Sequence, residues 1–152
     1  LMTKIQLQQE VQNLEAELQE FQEELYFVDI EIASVGDVLK DGSIVLQKSN
    51  GLLLLVAPES TEVKVKWSKE FAEVFQKLKE QGFNPSQWFV PTLEQLHLAY
   101  ETLPNLFASV YYWSSTEGTG KTSWCKNCAV GTIIEGSKVI THGVRAFRCV
   151  SY

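Results

Sequence analysis

Along the first fifth of the chain the apolar residues fall at Leu7, Val11, Leu14, Leu18, Phe21, Leu25, Val28 and Ile32, in alternating steps of four and three. That is a heptad seam, with Val11, Leu18, Leu25 and Ile32 at a and Leu7, Leu14, Phe21 and Val28 at d. Neither Pro nor Gly interrupts it before Gly36. A helix folded back on its own domain usually shows a wider apolar face, and a narrow stripe left wet on a lone helix should find copies of itself. The pattern therefore predicts a coiled-coil oligomerisation helix over residues 1–33 and a separate domain over 34–152. Mixed residues at a and the large Phe21 at d favour three strands over two.

Beyond Gly36 the period changes to that of strands. Ser43 to Gln47 and Leu52 to Ala57 flank Asn50-Gly51, a strong short hairpin signal. Val63 to Trp67 alternates, and Ser68 is placed to cap a helix carrying Phe71, Val74, Phe75 and Leu78, which Gly82 should stop. Thr92 to Gln95 reads as a capping box opening a second helix, with Leu93, Leu96 and Tyr100 as its buried face and Pro104 as its end. Tyr111 to Glu117, YYWSSTE, and Val144 to Val150, VRAFRCV, read as central strands of one sheet. Trp113 and Phe147 should meet in its core, closed on the other side by Trp88 and Leu96. Ser123 to Val130 and Ser137 to Thr141 are the remaining strands.

Charge sharpens this division. The 152 residues carry a net charge of −6. Residues 1–31 hold one lysine against eight acids, a net of −7, so the domain itself is close to neutral. No basic stripe is present, which argues against nucleic acid as a partner. In the seam, Glu10, Glu17 and Glu24 at g face Glu15, Gln22 and Asp29 at e of a parallel neighbour, so a bundle should loosen as pH rises, or else take a basic partner. The longest apolar run, Leu52 to Ala57, is far below the ~20 residues that span a bilayer, so no membrane insertion is expected. The Gln- and Glu-rich start does not read as a secretory signal.

In order and spacing, IVLQKSNGLLLLVAP, WFVPTLEQLHLAY, YYWSSTE and VRAFRCV resemble the C-terminal domain family of bacterial collagen-like adhesins, over about Asp41 to Val150. The resemblance implies an α+β, C-type-lectin-like domain, twisted antiparallel sheets with two helices, here preceded by the coiled coil. It also implies first and last strands that pair. Members of this family recur in phage tail and bacterial surface proteins. The expected function is thus a non-enzymatic virion structural protein of fibre, tail or head-decoration type, assembled in the host cytoplasm. Its partners would be its own copies, other virion proteins and a host cell-surface glycan or protein. A bacterial surface adhesin module is the alternative, and an enzyme of the formylglycine-generating branch of the fold a further one.

Candidate chemistry is sparse. Trp124-Cys125-Lys126-Asn127-Cys128 looks like a redox motif, but that chemistry needs a helix N-terminus, and in an extended strand residues three apart lie about 10 Å apart on opposite faces. The cysteines are read as structural, with Cys149 able to pair with Cys125 or Cys128, the third being buried and inert. His97 and His142 have no spacing that suggests catalysis, and Ser114 and Ser115 are read as strand hydroxyls satisfying local backbone. No catalytic residue, metal ligand or cofactor is expected. Ligand contacts should come from the loops Glu117 to Trp124, Glu135 to Lys138 and Thr141 to Gly143, with Glu117, Lys121 and Trp124 as the first candidates. Trp124 is read equally as core.

Overall fold

Asn50 and Gly51 adopt φ of 52° and 76°, the two left-handed residues of a type I′ turn, and join β1 (Ile44–Ser49) to β2 (Leu52–Val56) as the sequence predicts. A bulge between Val45 and Gln47 lets β1 bend around the core. The computed structural model describes the backbone of residues 1–152 and all side chains except those of residues 22–29. Its architecture is mixed α+β, with two sheets.

The N-terminal helix α1 (Lys4–Ile32) opens with a capping box in which Thr3 and Gln6 bond reciprocally. Leu7, Val11, Leu14, Leu18 and Phe21 are all exposed, Leu14 at 59% and Leu18 at 57%. Seam positions Leu25 and Val28 lie outside the described side chains. Ile30 at heptad position f, across the helix from the seam, is completely buried with Ala33 against Leu39, Val45, Leu53 and Leu55. Lys48 Nζ, on β1, donates to the carbonyls of Glu31 (2.7 Å) and Ala33 (3.0 Å), meeting the unpaired carbonyls and negative dipole end of α1 with a cation.

After β3 (Val63–Val65) comes α2 (Ala72–Glu80), which begins three residues later than a Ser68 cap would allow. Ser68 Oγ instead accepts from the Phe71 amide at 3.1 Å, and Phe71 precedes the helix in a left-handed conformation, φ 46°. The helix ends before Gly82, φ 88°, as expected. The second helix, α3 (Leu93–Thr102), has the predicted capping box, but its buried residues are Leu96 and Ala99, with Leu93 and Tyr100 only half-buried.

The C-terminal half departs from the sequence reading. β4 (Tyr111–Glu117), β5 (Thr122–Asn127), β6 (Ile133–Ser137) and β7 (His142–Val144) join β3 in a five-stranded sheet of order β3-β7-β4-β5-β6, so the strand expected over 137–141 lies earlier. Val144 to Val150 is not one strand. β7 ends at Val144, and β8 (Phe147–Ser151) belongs to the other sheet, β1-β2-β8. The break falls at Arg145 and Ala146, where the chain crosses between sheets. The Arg145 side chain is drawn inward to the carbonyls of Ala57 (2.8 Å) and Leu106, and the Ala57 amide donates to the Ala146 carbonyl (2.9 Å). Phe89 and Phe147 then exchange two 2.8 Å backbone bonds that fix the start of β8. The first and last strands of the domain, β1 and β8, share a sheet but flank β2 rather than pairing.

Two cores follow. Trp113 and Trp88 pack with Val65, Val74, Leu78 and Val144, whereas Phe147 packs with Tyr112, Phe107, Leu96 and Val56. The expected meeting of Trp113 and Phe147 does not occur, because adjacent residues of β4 point to opposite faces and Phe147 faces Tyr112's side.

Candidate functional site

β4 and β5 converge at the turn after Glu117, and the structure draws two of the three predicted binding loops together there. Lys138 Nζ pairs with Glu117 Oε1 at 2.7 Å and donates to the Gly120 carbonyl at 2.7 Å, while its backbone amide donates to the Lys121 carbonyl at 2.9 Å. The same ammonium lies 4.7 Å over the Trp67 ring, whose indole N–H donates to the Ser114 carbonyl at 2.9 Å. Glu135 Oε2 accepts from Thr122 Oγ1 at 2.9 Å, a second tie between the loops. The hydrogen bond and charge of Lys138 hold the Glu117 carboxyl below its ordinary range. Glu117 is therefore committed to fixing the rim, and Lys121, whose carbonyl Lys138 holds, is exposed on the same turn.

Trp124 is not part of that rim. Alternation along β5 puts it on the face of Lys126, covered by α3, while Cys125 turns to Trp113. Trp124 is half-buried, and among the described residues it has no side-chain hydrogen bond or ring contact, so neither the core reading nor the ligand reading captures it alone. In the third loop Thr141 is exposed but His142 is taken into the fold. His142 is stacked on Tyr111 at 5.1 Å and lies 4.6 Å from Trp113, and burial pushes its pKa down.

The groups that could carry chemistry are tied into the fold. Lys126 is fully buried, its ammonium donating to the Gly131 carbonyl at 2.7 Å, meeting His97 Nδ1 at 3.0 Å and lying 4.6 Å over the Tyr100 ring. Burial lowers its pKa, as expected for an ammonium removed from water. Tyr112 donates to Glu62 Oε1 at 2.5 Å and accepts from the Ala108 amide at 3.0 Å, and burial, then the Glu62 bond, pushes its hydroxyl well above the ordinary tyrosine range. Ser114 Oγ donates to the Trp124 carbonyl at 2.7 Å, the local role expected for it, whereas buried Ser123 Oγ has no partner.

All three cysteines are free, so the pairing left open to Cys149 is not made. Cys149 lies exposed on β8, while Cys125 and Cys128 are the buried ones, their thiols pushed up to about 11 by burial. Among the described residues no three His, Cys, Asp or Glu side chains gather as a metal site, and no helix is long and apolar enough to cross a membrane.

Sequence reasoning missed one further feature, a cleft of about 650 Å³ between the loops at Asp41 and Ser60, the end of α2, the turn at Asn84 to Gln87, and Arg148 on β8. Its walls come from four separated segments, so no local motif signals it. No family model matches this chain, and no curated protein matches it either.

Proposed function

We propose that this chain is a non-enzymatic structural protein of a virion, of fibre, tail or head-decoration type. In this reading α1 assembles the chain with its own copies, three being favoured, and a C-type-lectin-like head contacts another virion protein or a host-surface glycan or protein. The observation that carries it is the division of labour around α1. Six described seam residues, Leu7, Val11, Leu14, Leu18, Phe21 and Ile32, are exposed while Ile30, on the far side, is locked into the head. A seam left free on a helix anchored by its other face is what self-association requires. The lectin-like reading is supported by the Asn50-Gly51 hairpin and by the two helices α2 and α3. The rim of Glu117, Lys121 and Lys138 is the proposed contact surface, with Trp124 a separate candidate on the α3 side.

Two measurements test this. Sedimentation of the full chain should give an oligomer at micromolar concentration. Mass spectrometry of purified particles produced by the host should find the chain in them; its recovery from the cell envelope instead would favour the surface-adhesin reading.

A further inference from the structure

The cleft between α2 and β8 has a lining unlike the rest of the surface. Gln81, Asn84 and Gln87 present three amides, Asp41 and Arg148 one charge of each sign, and Phe83 a half-buried ring. Its volume, about 650 Å³, is in the range of small-molecule sites. Among the described residues, the side chains of Gln81 and Gln87 make no hydrogen bond, so their donors and acceptors face a ligand.

Other parts of the wall are held in place. Asn84 Oδ1 accepts from the amide (3.2 Å) and the hydroxyl (2.8 Å) of Ser86, which fixes the plane of the Asn84 amide and leaves its NH₂ for an outside acceptor. Asp41 Oδ1 accepts from the Ser43 amide at 2.9 Å. Phe83 stands edge-on to Trp88 with ring centroids 5.5 Å apart, and Arg148 packs 6.0 Å over that same indole.

From this lining we infer that the cleft binds a neutral pyranose unit of a saccharide. An amide both donates and accepts, as does each sugar hydroxyl, so three amides satisfy a polyol without a net charge. The opposite charges of Asp41 and Arg148 disfavour a simple anion or cation, since either ligand would meet one like charge. The fixed Phe83 ring offers an apolar surface for the C–H face of the sugar. The inference rests on reading the head as a binding module, and it places the ligand away from the Glu117 rim.

The test uses the full chain with lactose, maltose, cellobiose and N,N′-diacetylchitobiose as probes. Sorbitol serves as an open-chain polyol and sialyllactose and a heparin disaccharide as anions. Each is titrated to about 10 mM, enough to detect a Kd near 1 mM, while side-chain amide signals are followed by NMR. The expected result is that at least one neutral disaccharide shifts the Gln81, Asn84 and Gln87 signals. Gln81→Ala and Gln87→Ala should each weaken it about tenfold, and Ser60→Trp, at an exposed position on the wall, should abolish it. Silence from every neutral sugar, shifts with only sorbitol or the anions, or binding that survives Ser60→Trp would overturn the inference. Oligomerisation is read independently: an oligomer that ignores neutral sugars overturns the cleft alone, and a sugar-binding monomer overturns the assembly reading alone.

Discussion

Replacing Leu18 with Glu tests the assembly of α1 at the middle of its seam. Leu18 keeps 57% of its surface exposed on the single chain. Complete burial of a leucine side chain is worth about 1.5–3 kcal/mol, so closing the seam over the exposed portion recovers on the order of 1 kcal/mol per chain. In a trimer the substitution removes that gain three times and places three carboxylates in one layer, where each loses hydration and repels the others. The combined cost is on the order of 5–10 kcal/mol per trimer, against about 1.4 kcal/mol for each tenfold change in an association constant. Assembly should fall by more than about a thousandfold and the variant should sediment as a monomer.

The head reports separately on its own integrity. All four tryptophans, Trp67, Trp88, Trp113 and Trp124, lie outside α1, so near-ultraviolet circular dichroism and tryptophan fluorescence follow the head. Both signals should be unchanged in Leu18→Glu, because among the described side chains of α1 the head buries Ile30, about three turns beyond Leu18. A wild-type chain that is monomeric at micromolar concentration, or a variant that keeps the wild-type mass, would refute the seam. Loss of the head's signals together with assembly would show that the helix belongs to the head's core.

Three further outcomes follow from the buried groups. Cys149 should react with a thiol reagent near neutral pH while Cys125 and Cys128 wait for unfolding, since burial raises both thiols to about 11; three equivalents reacting at once in the native state would contradict this. Tyr112→Phe leaves the Ala108 amide and the Glu62 carboxylate without their shared partner and should cost about 1–3 kcal/mol in denaturant unfolding, with a change below about 0.5 kcal/mol contradicting the network. Burial holds His142 below its ordinary pKa, so the unfolded chain takes up this proton first; stability should hold above the unfolded value of about 6.5 and fall as pH drops toward the depressed folded value, and His142→Gln should flatten that fall. An identical pH profile in the variant would overturn this assignment.

What the sequence made legible were features whose physics is local. The Asn50-Gly51 turn, the Thr92 capping box and the unbroken helical run of α1 each depend on residues a few positions apart. The misread strand shows the limit: VRAFRCV alternates as a continuous strand would, but Arg145 is directed by the Ala57 and Leu106 carbonyls, 88 and 39 residues away. A buried arginine bonded to two distant carbonyls leaves no trace in periodicity. The same holds for Glu117, a candidate ligand contact that Lys138 ties into the rim, and for the cleft, whose walls come from four segments.

The anchoring of α1 bears on how a binding head is used. A helix joined by a loose linker would let heads reorient freely, and linked sites would then gain from effective concentration according to the linker's reach. Here Ile30 is enclosed by the β1-β2 hairpin, and Lys48 of that hairpin binds the last carbonyls of the helix. The hairpin that holds α1 also pairs with β8, which carries Arg148 into the cleft and begins where Phe147 is bonded to Phe89. The helix end is thus tied to the hairpin by the Lys48 side chain and Ile30 packing, and the hairpin to the cleft's β8 wall by backbone hydrogen bonds. If α1 assembles three chains, their heads are held at set positions around the bundle. Simultaneous engagement then depends on whether the spacing of sites on the target matches that geometry.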